Sequence, residues 1–364
     1  MNEKFGSWRS LIILACITIA GLALRVYQLG FQCFWTEEQY TAGIAAEPFS
    51  RILAISLLTD HNPPLYYLAA HASRILFGAP DVVLRYPSVF FGVLVIPVVY
   101  LVGREFRDEL TGLFGAGFIA VLYPFMYYSQ FARAYSMEIF FFACLLWVFI
   151  RIRKGVEERA EYVSFGILGG IVIWIHLFAV VPVLLMLADL LLVNGKRQGL
   201  VAAGSLALVT SPLLVMVGGL VGRRLFTSPS GASLMYGLDP WTMILSTPFE
   251  FFSWNYLLVV VFLGLIILGL KQRNKLTNEM FSISIITIAL GIICSLFTPF
   301  YPRYYLIVAV PLVLIGSSGI SWLIGKHIRN EWARIAVFGA IMGFWLLLQL
   351  SQYISHFTQQ MYAC

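Results

Sequence analysis

The chain has 364 residues, of which 60% are hydrophobic and 12% charged, with a formal net charge of +6. Soluble domains carry about 25% charged residues, so a composition this apolar, set in long blocks with short polar gaps, excludes a soluble enzyme. The positive balance reads as the charge of cytoplasmic loops and gives no reason to invoke nucleic acid.

The expected fold is an all-α polytopic membrane protein, one integral membrane domain over residues 1–364 with about eleven spans. Apolar blocks place these near 10–29, 86–103, 111–128, 135–150, 162–176, 178–193, 199–219, 255–270, 280–298, 304–325 and 333–354. The first block follows Lys4 and Arg9, and Leu24-Arg25-Val26 offers no small-residue cleavage site, so it reads as a retained span. The stretch 162–193 is too long for one pass and has basic flanks on both sides. Two passes with a tight outer turn at His176-Leu177-Phe178 satisfy both flanks, with Pro182 starting the second pass. His176 itself reads as a turn or packing residue.

Alternate gaps then hold 16 of the 24 basic residues, including all six lysines. The other eight are arginines, at 25, 51, 74, 85, 133, 223, 224 and 303. The positive-inside rule therefore puts the N-terminus in the cytoplasm, the C-terminus outside and the chain in the cell (inner) membrane. The five cysteines, at 16, 33, 144, 294 and 364, show no metal spacing. Cys33 and Cys364 both fall outside, where a bridge between them is compatible with this topology.

Two outer segments are long, 30–85 and 220–250. The first contains FWTEEQYTAGIA at 34–45. Thr36 followed by Gln39 has the capping-box pattern, with Trp35 and Tyr40 as the hydrophobic staple. Glu37 and Glu38 then occupy the first turn, where carboxylates complement the helix dipole. Beyond it, DHNPPLYYLAAHASRILFG at 60–78 predicts a helix over 63–77, too short and too polar to span. It should lie along the outer surface as an amphipathic juxtamembrane helix. In the second segment, Thr227-Ser228-Pro229-Ser230-Gly231 is turn-rich and suits a lid.

These motifs resemble the GT-C membrane glycosyltransferases, in the branch of the protein O-mannosyltransferases, aminoarabinose transferases and Rgt-type transferases. The resemblance is carried by WTEE at 35–38, NPPLYYL at 62–68, LRYPSVFFG at 84–92, YYSQFARAYSM at 127–137 and, more loosely, PRYYLIVAVPLVLI at 302–315. It implies a sugar donor linked to polyprenyl phosphate and an acceptor that is a glycan, a lipid or a protein, with chemistry on the outer face. An acidic residue of the first outer loop acts as base in such enzymes. The family usually shows Asp-Glu where this chain has Glu37-Glu38, so the base position falls on Glu37. Some relatives carry an acid after the third span, where this chain has Arg133-Ala134-Tyr135 and, one turn on, Glu138.

The reaction needs a base for the acceptor hydroxyl, cations for the departing lipid phosphate and a groove for the donor. Catalytic candidates are Glu37 and Glu38, with Glu37 as the base and Glu38 serving the dipole or a loop contact. Arg133, Arg303, Arg223 and Arg224 form the phosphate-binding pool, since a guanidinium binds phosphate with a two-pronged fork. Asn62, Tyr66, Tyr67, Tyr135 and Tyr304 are the groove candidates. No cofactor is indicated. A divalent metal would find Glu37, Glu38, Asp60 and His61 nearby, without a firm ligand set. A transporter or flippase, or a polymerase or ligase acting on lipid-linked sugars, is the alternative class. A transporter should show inverted repeats or acids deep in the membrane. Here no repeat is visible, and Glu138 and Asp189 are the only acids well inside spans.

Overall fold

A computed structural model describes residues 7–60, 62–193, 196–226, 239–272, 274–297 and 300–359. Among these residues every regular element is helical. Six helices are long and apolar enough to cross a bilayer: Trp8–Val26, Asp81–Phe106, Tyr135–Arg153, Lys275–Ser295, Pro302–His327 and Glu331–Leu348. Three bent pairs each supply another candidate, Glu109–Val121 with Tyr123–Ser129, Arg197–Thr210 with Leu213–Gly219, and Pro240–Phe252 with Tyr256–Leu270. That gives six spans, or nine if each bent pair is one. The remaining two expected spans fall on helix Arg159–Ile175 and on the shorter apolar helix Leu177–Val193. His176, in extended conformation, separates them where the turn was expected.

The breaks have local causes. Pro124 and Pro212 lack the amide hydrogen a continuing helix needs, and the chain bends by 58° and 66° beside them. The first break frees the carbonyls of Ile119 and Ala120 at the end of Glu109–Val121. The wholly buried Arg25 takes both, at 2.9 and 3.1 Å, and also binds Ser129 Oγ. A guanidinium there answers both the orphaned acceptors and the negative end of the helix dipole. Helices Tyr86–Phe106 and Glu109–Val121 pack backbone to backbone, because a Cβ on Gly103 would lie 2.7 Å from Gly112 Cα.

Ion pairs tie helix ends together at two levels. At one, Arg153 bridges Asp189 and Glu279, Arg151 meets Glu161 and Arg9 meets Glu331. The opposite ends of the helices carry the loop over 30–85. That loop folds into three short helices, Thr36–Ala45, Phe49–Leu58 and Leu65–Phe77. The last begins two residues later than expected, with Pro64 at its N-cap. Phe49–Leu58 was not foreseen. Cys33 is disulfide-bonded, while Cys16, Cys144 and Cys294 are free thiols. Cys364 and His61 lie outside the described residues, as does the turn-rich stretch 227–231.

Candidate active site

Helix Thr36–Ala45 is started by Trp35, whose backbone is extended, and not by Thr36 as expected. The residue that closes the turn is Glu38, which accepts the Trp35 amide at 3.2 Å. Gln39 instead donates to the Phe34 carbonyl. Trp35 and Tyr40 both remain exposed.

This one-residue offset decides what the two glutamates do. Glu38 is fully buried. Its carboxylate accepts from Arg85 Nε and Nη2 at 2.8 and 3.0 Å and from the Ala132 amide at 2.8 Å. Arg85 continues to the Leu29 carbonyl at 2.7 Å. Glu38 thereby locks the first loop to the start of one span and to the loop before another, and its acceptor capacity is filled.

Glu37, about 100° further back round the helix, points the other way and keeps 24% of its side chain exposed. Its Oε1 accepts from Arg303 Nη2 at 2.6 Å, and its Oε2 lies 3.7 Å from Arg133 Nε. Oε2 of Glu37 and Nε of Arg303 make no hydrogen bond. The guanidinium of Arg303 is stacked over Tyr301, with Tyr304 on its flank. Arg133 is braced by Thr41 Oγ1 at 3.3 Å. Two of the four arginines in the phosphate pool thus converge on one carboxylate, from residues 96 and 266 positions away in sequence. Arg223 and Arg224 lie in helix Leu213–Phe226, but their side chains fall outside the described residues.

Next to Arg133 lies a pocket lined by Asn62, Tyr66, Tyr67, Tyr135 and His176 among others. Four of the five groove candidates share it, and the fifth, Tyr304, packs against His176 with ring centres 5.4 Å apart. Tyr66 is spent on structure, since its hydroxyl bonds Ser88 Oγ at 2.7 Å and the Leu84 carbonyl. Tyr67 donates to Asp60 at 2.7 Å. Burial pushes both phenols well above their ordinary range, so they act as neutral donors.

Sequence reasoning missed three contributors. Arg85 stood among the eight outer arginines but was given no role. His176 was set aside as a turn residue, yet it lines the pocket. Glu250, in helix Pro240–Phe252, accepts a hydrogen bond from Tyr128 on the Arg303 side of the site. Among the described residues, no group of three or more His, Cys, Asp or Glu is placed to hold a metal ion.

The family model for dolichyl-phosphate-mannose-protein mannosyltransferase matches residues 60–221. No curated protein matches the chain by sequence. Among solved structures, ArnT from Cupriavidus metallidurans superposes with a TM-score of 0.66 at 14% identity, over 96% of this chain and 65% of that one. The same protein bound to undecaprenyl phosphate gives a TM-score of 0.64 at 12% identity, over 96% and 72% of the two chains. An oligosaccharyltransferase from Archaeoglobus fulgidus gives 0.66 at 16% identity, over 97% of this chain and 57% of its own. The chain therefore spans roughly two thirds or less of the length of the first of these relatives. At these identities the likeness is one of fold.

Proposed function

We propose that this chain, a membrane protein of the GT-C glycosyltransferase fold, transfers a sugar from a polyprenyl-phosphate donor to an acceptor hydroxyl on the outer face of the membrane. The observation that carries the reading is Glu37, a partly exposed carboxylate held between Arg303 and Arg133. The arginines orient the base. They also supply the positive charge that a departing lipid phosphate requires. Glu37 takes the proton of the acceptor hydroxyl as its oxygen attacks the anomeric carbon. The bond from that carbon to the phosphate oxygen breaks, and the lipid phosphate leaves as an anion toward the two guanidinium groups.

Three further facts support this reading. The matched family model belongs to an enzyme class that uses a lipid-linked sugar phosphate. A protein of the same fold has been crystallised with undecaprenyl phosphate, and another with a dolichol-phosphate and an inhibitory peptide. The acceptor of this chain is left as a glycan, a lipid or a protein.

The test is a comparison of cells with and without the gene, by mass spectrometry of membrane lipids and surface glycans. Loss should remove one sugar from a glycan, lipid or protein and leave the sugar-loaded polyprenyl phosphate to accumulate. Wild type should restore the decoration and Glu37→Gln should not. Unchanged glycans and lipids in the deletion would refute the reading.

A further inference from the structure

The pocket beside Arg133 is lined by neutral hydrogen-bonding groups and aromatic faces, namely Asn62, Tyr67, Tyr135 and His176, and its one charged wall is the Arg133 guanidinium. Among the described residues, no carboxylate lines it. Three carboxylates contact lining residues from outside the pocket: Glu37 is engaged by Arg303 and Arg133, Asp60 by Tyr67 and Asn62, and Glu138 lies 3.6 Å from His176. Hydroxyl groups suit such walls, which offer donors, acceptors and ring faces. An ammonium does not, because it would enter beside the Arg133 guanidinium with no carboxylate among the described lining residues, the neighbouring ones being engaged already.

His176 has a built support. Its Nδ1 lies 3.6 Å from Oε1 of Glu138, a carboxyl only 1% exposed. Neither of those two atoms makes a hydrogen bond. The Nδ1 edge of the imidazole therefore faces this buried carboxyl, while the residue lines the pocket. The ring is also held from the side by Tyr304.

We infer that His176, positioned by Glu138, contacts the transferred sugar, and that this sugar carries hydroxyl groups and no free amino group. The inference rests on the lipid-linked donor reading. With the donor phosphate on Arg133 and Arg303, the sugar attached to it extends toward Asn62 and His176.

The experiment measures affinity of the purified protein in detergent for four lipids: undecaprenyl phosphate, its glucosyl and mannosyl derivatives, and its 4-amino-4-deoxyarabinosyl derivative. Wild type should bind at least one neutral-sugar lipid about fivefold or more tightly than both the bare carrier and the amino-sugar lipid. His176→Ala should erase that preference while leaving carrier affinity unchanged. Glu138→Gln should reduce the preference, and His176→Gln, which can still hydrogen-bond, should keep part of it. Carrier binding in each variant reports that the site is folded. Equal affinity for all four lipids, tightest binding of the amino-sugar lipid, or an undiminished preference in His176→Ala would overturn the inference. Failure of wild type to bind any of the four would instead strike the lipid-linked donor reading.

Discussion

Arg303 Nη2 sits 2.6 Å from Glu37 Oε1, and the second oxygen of the same carboxylate faces Arg133. The pair joins the first outer loop to the start of a span far along the chain. It also gives Glu37 the features of a base in a phosphate-leaving reaction, accessibility and an adjacent cation. Glu37→Gln keeps the shape and removes the base. Transfer measured in membranes should fall by about 10²-fold or more, with expression unchanged. Glu37→Asp should retain part of the activity, since the carboxylate remains but reaches less far. Full activity in Glu37→Gln would remove the base assignment.

The two arginines are expected to bind the donor phosphate. Lysine substitutes a point charge for a two-pronged fork. Arg133→Lys and Arg303→Lys should each weaken undecaprenyl phosphate binding by about tenfold, the equivalent of losing one charge-assisted hydrogen bond of about 1.5 kcal/mol. Isothermal titration in detergent measures it. Unchanged affinity in both variants would make these residues anchors of Glu37 only.

Glu38→Gln should behave differently from Glu37→Gln. Glu38 is buried and pairs with Arg85 at 2.8 Å, and breaking one side of a buried pair strands the other charge, at a cost of about 3–5 kcal/mol. The variant should express poorly and melt at a lower temperature. Dipole and hydrogen-bond support alone, worth about 0.3–1 kcal/mol, is too small for that environment, although the loop contact expected of Glu38 is present at Ala132. A Glu38→Gln protein with wild-type melting would show the pair to be dispensable.

The sequence carried the long apolar helices, because hydrophobic blocks are a property of composition, and the alternation of basic gaps set a small group of arginines apart. It therefore reached Arg133 and Arg303. It did not show that both would meet Glu37, since nothing local links residues 266 positions apart. The cap was misplaced for a related reason. Thr36-x-x-Gln39 and Trp35-x-x-Glu38 are offset by one residue, and local preference favours a threonine cap. The tertiary bonds from Glu38 to Arg85 and Ala132 override it. The role of His176 depends on Glu138, Tyr304 and the pocket coming together in space, which its place in a turn does not reveal.

Arg25 offers a stability test away from the site. Its guanidinium serves the Ile119 and Ala120 carbonyls and Ser129 within a fully buried setting. Arg25→Ala leaves those acceptors unsatisfied, each costing about 1–3 kcal/mol, and empties the space the side chain filled. The melting temperature in detergent should drop by several degrees, with undecaprenyl phosphate affinity in the folded fraction near wild type. A variant as stable as wild type would mean that other donors reach those carbonyls.

The C-terminus is expected on the same side of the membrane as Glu37. Charge alone gives the direction, because the basic gaps alternate along eleven spans. The geometry supplies an independent argument about sidedness. Gln32, in the first outer loop, donates to the His356 and Gln359 carbonyls at 2.6 and 2.8 Å. His356 in turn hydrogen-bonds Gln130 at 2.7 Å, close to Arg133. The final helix, Leu350–Thr358, therefore ends beside the first loop. At the opposite level Arg9 meets Glu331, and Arg153 meets Asp189 and Glu279, which places the starts of the first and last long spans together. An odd number of passes follows, and nine and eleven both satisfy it. Alkaline phosphatase fused after residue 364 should be active, and a cytoplasmic fluorescent reporter at that point should stay dark. The reverse result would put the carboxyl end inside and require an even number of passes. A second phosphatase fusion at His176 should also be active, since that residue shares a pocket with Asn62 and Tyr67 of the first loop, and two passes through 162–193 bring it to that side; an inactive fusion would favour nine.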